Sequence, residues 1–317
     1  MTKMPQENIL KNIKTLDVIA APLLRWFHSE KRALPWREEP TPYRVWVSEI
    51  MLQQTRVEAV KPYFERFVAA LPDVRALARA DEDTLMKLWE GLGYYSRAHH
   101  LQSAARLICS DHGGEIPAHF DDLLALPGIG RYTAGAIASI AFGERRPAVD
   151  GNVLRVIMRL LACPADILKK STKRAVEEAL IARLPEDAGD FNQALMELGA
   201  LICLPRGAAR CPSCPLERLC LAKEANLQAE LPQKTPPKRR RTEKLTIFLL
   251  AKNGKIALEK RPAQGLLAGL WGFPAMEGHL KKKEAEEALQ AIGLIPAKLH
   301  ALPAAQHIFS HITWQMV

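Results

Sequence analysis

Two carboxylates in this sequence stand where a carboxylate is awkward unless it has work to do. Glu49 lies four residues after Val45 and three before Leu52, so helical spacing sets it on an apolar face. A carboxyl there is poorly solvated; desolvation raises its pKa and keeps it protonated near neutrality, the state a general acid requires. A buried glutamate paired with Arg97 or Arg37 is the structural alternative. Asp150, in Val149-Asp-Gly-Asn-Val153, opens another helical pattern. Aspartate is a favoured helix cap there, and an ionised carboxylate so fixed can also stabilise positive charge developing at a sugar carbon.

Two further constellations could bind. Leu126-Pro-Gly-Ile-Gly-Arg-Tyr-Thr-Ala134 joins two helical patterns through Gly128 and Gly130, a turn able to point backbone N–H groups at a phosphate, or simply to join two helices. Small residues at Ala134, Gly135 and Ala138 permit close helix packing. Cys203, Cys211, Cys214 and Cys220 fall within 18 residues, with gaps of seven, two and five. Four clustered thiols suit tetrahedral zinc or a four-iron cluster, and spacing alone does not choose. Cys109 and Cys163 lie alone in apolar segments.

The elements that must position these groups are mostly helical through residue 225. Thr41-Pro42 is a cap followed by proline at the first helical position, and apolar residues recur at helical spacing from Val45 to Val68. Similar patterns follow at 83–89, 97–109, 120–126, 132–142, 153–161, 171–184 and 190–203. Residues 226–244 combine prolines with the basic run ending Lys238-Arg-Arg-Arg241, read as an interdomain linker with DNA contact as the sharper alternative. Beyond it, Asn253-Gly254 between strand-like runs signals a tight hairpin, 282–291 is helical, and Ile312, Trp314 and Met316 alternate. The expected second domain, 245–317, is α+β. Its alternation stops at Val317 as a strand begins, so an incomplete last domain is expected.

The chain of 317 residues, 48% hydrophobic, has length for about two domains. Its 44 Lys and Arg against 35 Asp and Glu give a net charge of +9, favouring a polyanionic partner. Met1 to Lys14 lacks a secretory signal's apolar core, and the longest apolar run falls short of the roughly 20 residues that span a bilayer. A cytoplasmic location is expected, nucleoid-associated if the source is bacterial.

The motifs Trp46-Val-Ser-Glu-Ile-Met-Leu-Gln-Gln-Thr55, Trp89-Glu-Gly-Leu-Gly-Tyr-Tyr-Ser-Arg97, the Gly128/Gly130 hairpin and Val149-Asp-Gly-Asn-Val153 resemble, in order and spacing, the MutY-type adenine DNA glycosylases of the endonuclease III superfamily. The resemblance spans nearly the whole chain. It implies a helix-hairpin-helix glycosylase fold followed by a smaller Nudix-like domain, and monomeric action on double-stranded DNA holding 8-oxoguanine:adenine or guanine:adenine mispairs. It implies that Glu49 protonates adenine at N7 and Asp150 stabilises the oxocarbenium-like sugar, with Tyr132 and Asn152 in support. Strand-cleaving relatives carry a nucleophilic lysine at the position of Tyr132, so a monofunctional enzyme is implied. Arg37 and Gln193 become candidate contacts to the extruded adenine, and Gln54, Thr55, Leu92 and Tyr94 would fill or brace the gap it leaves. Each has a plain alternative: Gln193 in a capping box with Asp190, Leu92 and Tyr94 as core.

The same resemblance implies a [4Fe-4S] cluster on the four cysteines, bracing a basic loop with Arg206 and Arg210, although the family has six residues in the first gap where this chain has seven. Lys260-Arg-Pro-Ala-Gln-Gly-Leu-Leu-Ala-Gly-Leu-Trp-Gly-Phe-Pro274 resembles the Nudix fold. A hydrolase of that fold needs Arg-Glu-x-x-Glu-Glu, which Lys281-Lys-Lys-Glu-Ala-Glu-Glu-Ala-Leu-Gln290 does not supply, so binding without hydrolysis is expected. Phe309-Ser310-His311 matches the family's loop for 8-oxoguanine; a polar turn at a strand edge is the alternative.

Overall fold

A computed structural model of the chain describes residues 11–205, 209–236, 239–262 and 265–317. Arg206 of the cysteine loop, Lys238 of the basic run, and Ala263 and Gln264 of the Nudix-like stretch lie outside them. Two compact units divide between Thr235 and Pro236. The segment 226–244, read as a linker, is thus taken up from both ends: residues up to Thr235 belong to the first unit, and a strand begins at Arg241.

The first unit is helical and holds two apolar clusters. One gathers Trp46, Phe64, Phe67, Leu77, Trp89, Leu101 and Ile137 from the helices between Pro42 and Phe142. The other joins Leu23 and Phe27 of the Ala20–Glu30 helix to Ile157, Val176 and Phe191, so this early helix packs on the later ones. Thr41 caps the Pro42–Leu52 helix by accepting from the Arg44 N–H at 3.3 Å, with Pro42 in the first turn where its missing N–H costs nothing. The periodic run from Val45 to Val68 is not one helix. It breaks between Leu52 and Val57, with Gln54 at φ 59°.

The cause of that break is Arg97. Its buried guanidinium takes the carbonyls of Ile50, Met51 and Gln53 at 2.7–3.0 Å, groups that a continuing helix would spend on its own next turn. It also reaches the carbonyls of Leu92 and Gly93 and the Thr55 hydroxyl, tying the 53–55 turn to the 91–95 loop.

In the hairpin between the Phe120–Ala125 and Arg131–Phe142 helices, Gly128 has φ +75°, and a Cβ there would lie 2.6 Å from that of His100. Gly135 is equally constrained: a Cβ would sit 2.2 Å from the Pro147 carbonyl oxygen, the close packing expected of this small-residue run.

The second unit pairs the strands Ala275–Glu277, Arg241–Ile247, Ile312–Met316 and Ala305–Ile308 in that order, the middle two parallel and the outer pairs antiparallel. Asn253-Gly254 turns a short hairpin between Ala251–Lys252 and Lys255–Ile256. The Lys282–Ala291 helix buries Ala285 and Leu289 against Phe248. Among the described residues no helix is long and apolar enough to cross a membrane.

Candidate active site

A cavity of about 680 Å³ opens in the first unit between residues of its two apolar clusters. The Pro42–Leu52 helix brings Glu49 to it, the hairpin's second helix brings Tyr132, and the start of the Gly151–Leu160 helix brings Asp150 and Asn152. Arg37, Gln54, Thr55, Gly130 and Gln193 also line it. Residues scattered over more than 150 positions of sequence thereby meet at one site.

Glu49 is 6% exposed and pairs with neither Arg97 nor Arg37; its carboxylate accepts a hydrogen bond from the Tyr132 hydroxyl. Burial drives its pKa up, the Tyr132 hydrogen bond opposes that, and the charge of nearby Asp150 adds to the rise, leaving it at about 7. The same burial pushes the Tyr132 phenol well above its usual range, so it stays a donor.

Asp150 caps the Gly151–Leu160 helix, accepting from the Val153 N–H at 2.7 Å. Burial raises its carboxyl too, but every hydrogen bond it receives favours the ionised form: Val153 donates to one oxygen and the Asn152 amide to the other at 2.7 Å. The Asn152 oxygen is held by Arg155 at 2.8 Å, so the amide can present only its N–H side to Asp150. The helix cap and the carboxyl that lines the cavity are one and the same group.

Also lining the cavity, Arg37 donates to the side-chain amide oxygen of Gln193 at 3.0 Å and to Glu197 at 3.1 Å. Gln193 also contacts Asp190 at 3.3 Å, but the N-cap of its helix is Asp187, so no capping box forms. Glu197 was not foreseen. Buried to 2% and taking a bidentate fork from Arg32, it would be raised by burial alone; the hydrogen bonds of Arg32 and Arg37 overcome this and hold it at about 2. Its one available signal was its place four residues after Gln193, on the same helical face.

Leu92 and Tyr94 do not line the cavity. Leu92 is buried, while Tyr94, at φ 48°, is 49% exposed in the loop that Arg97 ties to the 53–55 turn. Phe309, Ser310 and His311 form the turn between the Ala305–Ile308 and Ile312–Met316 strands. Phe309 packs its ring on Trp314 at 4.9 Å, and only Ser310 and His311 are exposed.

Residues 47–182 match the family model described as HhH-GPD superfamily base excision DNA repair protein, and residues 246–317 match the NUDIX domain. The human adenine DNA glycosylase is 36% identical over 96% of this chain and 67% of its own length. That of Buchnera aphidicola subsp. Schizaphis graminum is 32% identical over 96% and 87%. The chain belongs to the adenine DNA glycosylase family. With that membership it is a DNA N-glycosylase of base-excision repair. A thermostable thymine-DNA glycosylase superposes on 67% of this glycosylase and 98% of its own chain, with TM-score 0.59 and 29% identity. An endonuclease III–DNA complex, at TM-score 0.58 and 23% identity over 68% and 98%, shares the fold.

The glycosylase's four clustered cysteines border one small cavity with Arg159, whose guanidinium lies 3.2 Å from the Cys203 sulfur. Among the described residues no three potential ligands converge as they would around a single ion. Burial pushes the Cys214 thiol up to about 12, so a strong positive charge would be needed to make it a thiolate ligand.

Proposed function

We propose that the protein hydrolyses the N-glycosidic bond of adenine opposite 8-oxoguanine or guanine, without cleaving the strand. The observation that carries this reading is the Glu49–Tyr132–Asp150 arrangement: one carboxyl kept protonated near neutrality beside one whose hydrogen bonds favour charge. The target adenine must leave the stack to reach it. Glu49 gives its proton to N7, the C1′–N9 bond breaks with its electron pair passing to the base, and Asp150 stabilises the cationic sugar. Water then adds to C1′ and returns a proton to Glu49. Arg37 and Gln193 line the wall facing the base, and Asn152 orients Asp150.

The phenol at 132 is spent on Glu49 and offers no amine for a Schiff base, which supports a monofunctional reaction. Cys203, Cys211, Cys214 and Cys220, which border one small cavity, would hold the [4Fe–4S] cluster that the family resemblance implies. Such a cluster would brace the 203–220 loop. Iron and acid-labile sulfide in the purified protein support it; stoichiometric zinc under iron-replete anaerobic expression overturns it.

The test of the reaction is a duplex carrying one 8-oxoguanine:adenine pair, assayed separately for free adenine and for strand breakage. Free adenine with an intact strand and no borohydride-trapped adduct is expected. Efficient trapping would make the enzyme a lyase.

A further inference from the structure

After the cysteine loop the chain does not simply leave the helical unit. Leu231, 4% exposed, gives its carbonyl to Arg159 at 2.8 Å; Gln233 accepts from the Ile167 N–H at 3.2 Å; and Thr235 donates both its N–H and its hydroxyl to Asp166. Those bonds hold residues 231–235 as a strap along the 159–167 region. What the strap delivers is Lys234, which lines the 680 Å³ cavity together with Lys173 of the Lys170–Ile181 helix. Both lysines are exposed at this site, and neither is paired with a carboxylate among the described residues. Lys234 also borders a shallower open depression shared with Lys169, Glu230 and Asp166; Thr235 occupies Asp166, leaving Glu230 as the other carboxylate there.

The other charges of the cavity are answered within it, Glu197 by Arg32 and Arg37 and Glu49 by its proton, so none of those cations is left for the phosphates that an extruded nucleotide brings with it. The exposed, unpaired ammonium groups of Lys234 and Lys173 can meet that charge.

We propose that the strap positions Lys234, with Lys173, to bind the phosphodiester flanking the extruded nucleotide, so that this segment is part of the DNA-binding surface of the catalytic unit. The inference rests on the glycosylase reading above. It differs from a contact by the basic run at 239–241, because it needs Lys234 held at the cavity by Asp166 and Thr235.

The test uses the full chain and two duplexes, one with 8-oxoguanine opposite a 2′-fluoro-substituted deoxyadenosine that resists cleavage, the other fully paired. Affinity is measured across a salt series. Lys234→Gln should lower the slope of log K against log salt by about 0.9 on the lesion duplex, the value for one phosphate contact, and leave the fully paired duplex nearly unchanged. Lys234→Arg should restore the slope, and Asp166→Asn with Thr235→Val should lower it without removing the ammonium. An unchanged slope for Lys234→Gln, or equal losses on both duplexes, overturns the proposal. A defect in Lys234→Arg as large as in Lys234→Gln does so as well, since charge would not be the determinant. Adenine release by the wild-type protein, assayed in parallel, separates failure here from failure of the glycosylase reading; thermal melts identify any variant that has lost its fold.

Discussion

Glu49 is inexpensive to protonate and costly to ionise. Because its pKa in the fold is about 7 against an ordinary 4.5, the folded protein keeps a proton that the unfolded chain has released across that window, and stability must fall as pH rises through it. The loss amounts to roughly 3 kcal/mol. Glu49→Gln should therefore abolish adenine release yet make the protein more stable at pH 8 by up to that amount, with the gap closing below about pH 4.5. Denaturant unfolding at the two pH values checks the stability, and single-turnover assays check the chemistry. In the wild type, release should decline as pH rises past about 7 and the acid loses its proton. Asp150 permits a second separation. Asparagine keeps the cap but turns its NH2 towards the Asn152 amide, which Arg155 holds as a donor, so Asp150→Asn should cost about 1 kcal/mol while losing nearly all activity, and Asp150→Ala, which also loses the cap, about 1–2 kcal/mol. Equal activity in Asp150→Asn and wild type would leave the residue as a cap alone. Both carboxylates were legible in the sequence because spacing placed one on an apolar face and the other at a helix start. Glu197 was not, because its meaning lies in Arg32 and Arg37, more than 150 positions away.

At the level of elements, local pattern foretold most helices and the caps Thr41 and Asp150, missed the caps Asp73 and Asp81, and failed where a distant side chain overrode it. The run from Val45 to Val68 keeps helical periodicity straight through a break, since no local residue announces that Arg97 will claim the last carbonyls of the first helix. That arginine serves five backbone carbonyls across two loops, one holding Gln54 and Thr55 and the other Leu92 and Tyr94. Arg97→Met should orphan those carbonyls and cost about 3–5 kcal/mol, with Arg97→Lys intermediate because a single ammonium has fewer donors and no fork. Chemical denaturation measures the loss. A change below about 1 kcal/mol would show that water or a loop shift satisfies the same groups. Gly128 makes the companion case. Its φ of +75° and the His100 side chain both exclude a Cβ, so the glycine was foreseeable as a turn residue, while the contact that also enforces it was not.

The whole molecule divides its chemistry unevenly. Every residue of the proposed acid–carboxylate machinery, the hairpin and the four cysteines lie in the first unit, and the loop matched to 8-oxoguanine lies in the second. In that loop Ser310 and His311 are exposed and adjacent, 3.2 Å apart, while Phe309 is turned onto Trp314. On the reading proposed above, the exposed pair would meet the base and the phenylalanine would set the turn. A chain ending at Thr235, which keeps the strap and Lys234, should still excise adenine opposite guanine. It should lose most of its preference for 8-oxoguanine. Replacing Ser310 and His311 by alanine in the full chain should shift selectivity the same way and leave single-turnover cleavage opposite guanine nearly unchanged, while Phe309→Ala should act through the turn and loosen the packing on Trp314. Selectivity is a difference of two affinities, so both duplexes must be compared at one salt concentration. If the shortened chain and the double variant each retained the full ratio, damage recognition would have to reside in the helical unit, where Tyr94, exposed beside the tied 53–55 turn, is the residue to replace next.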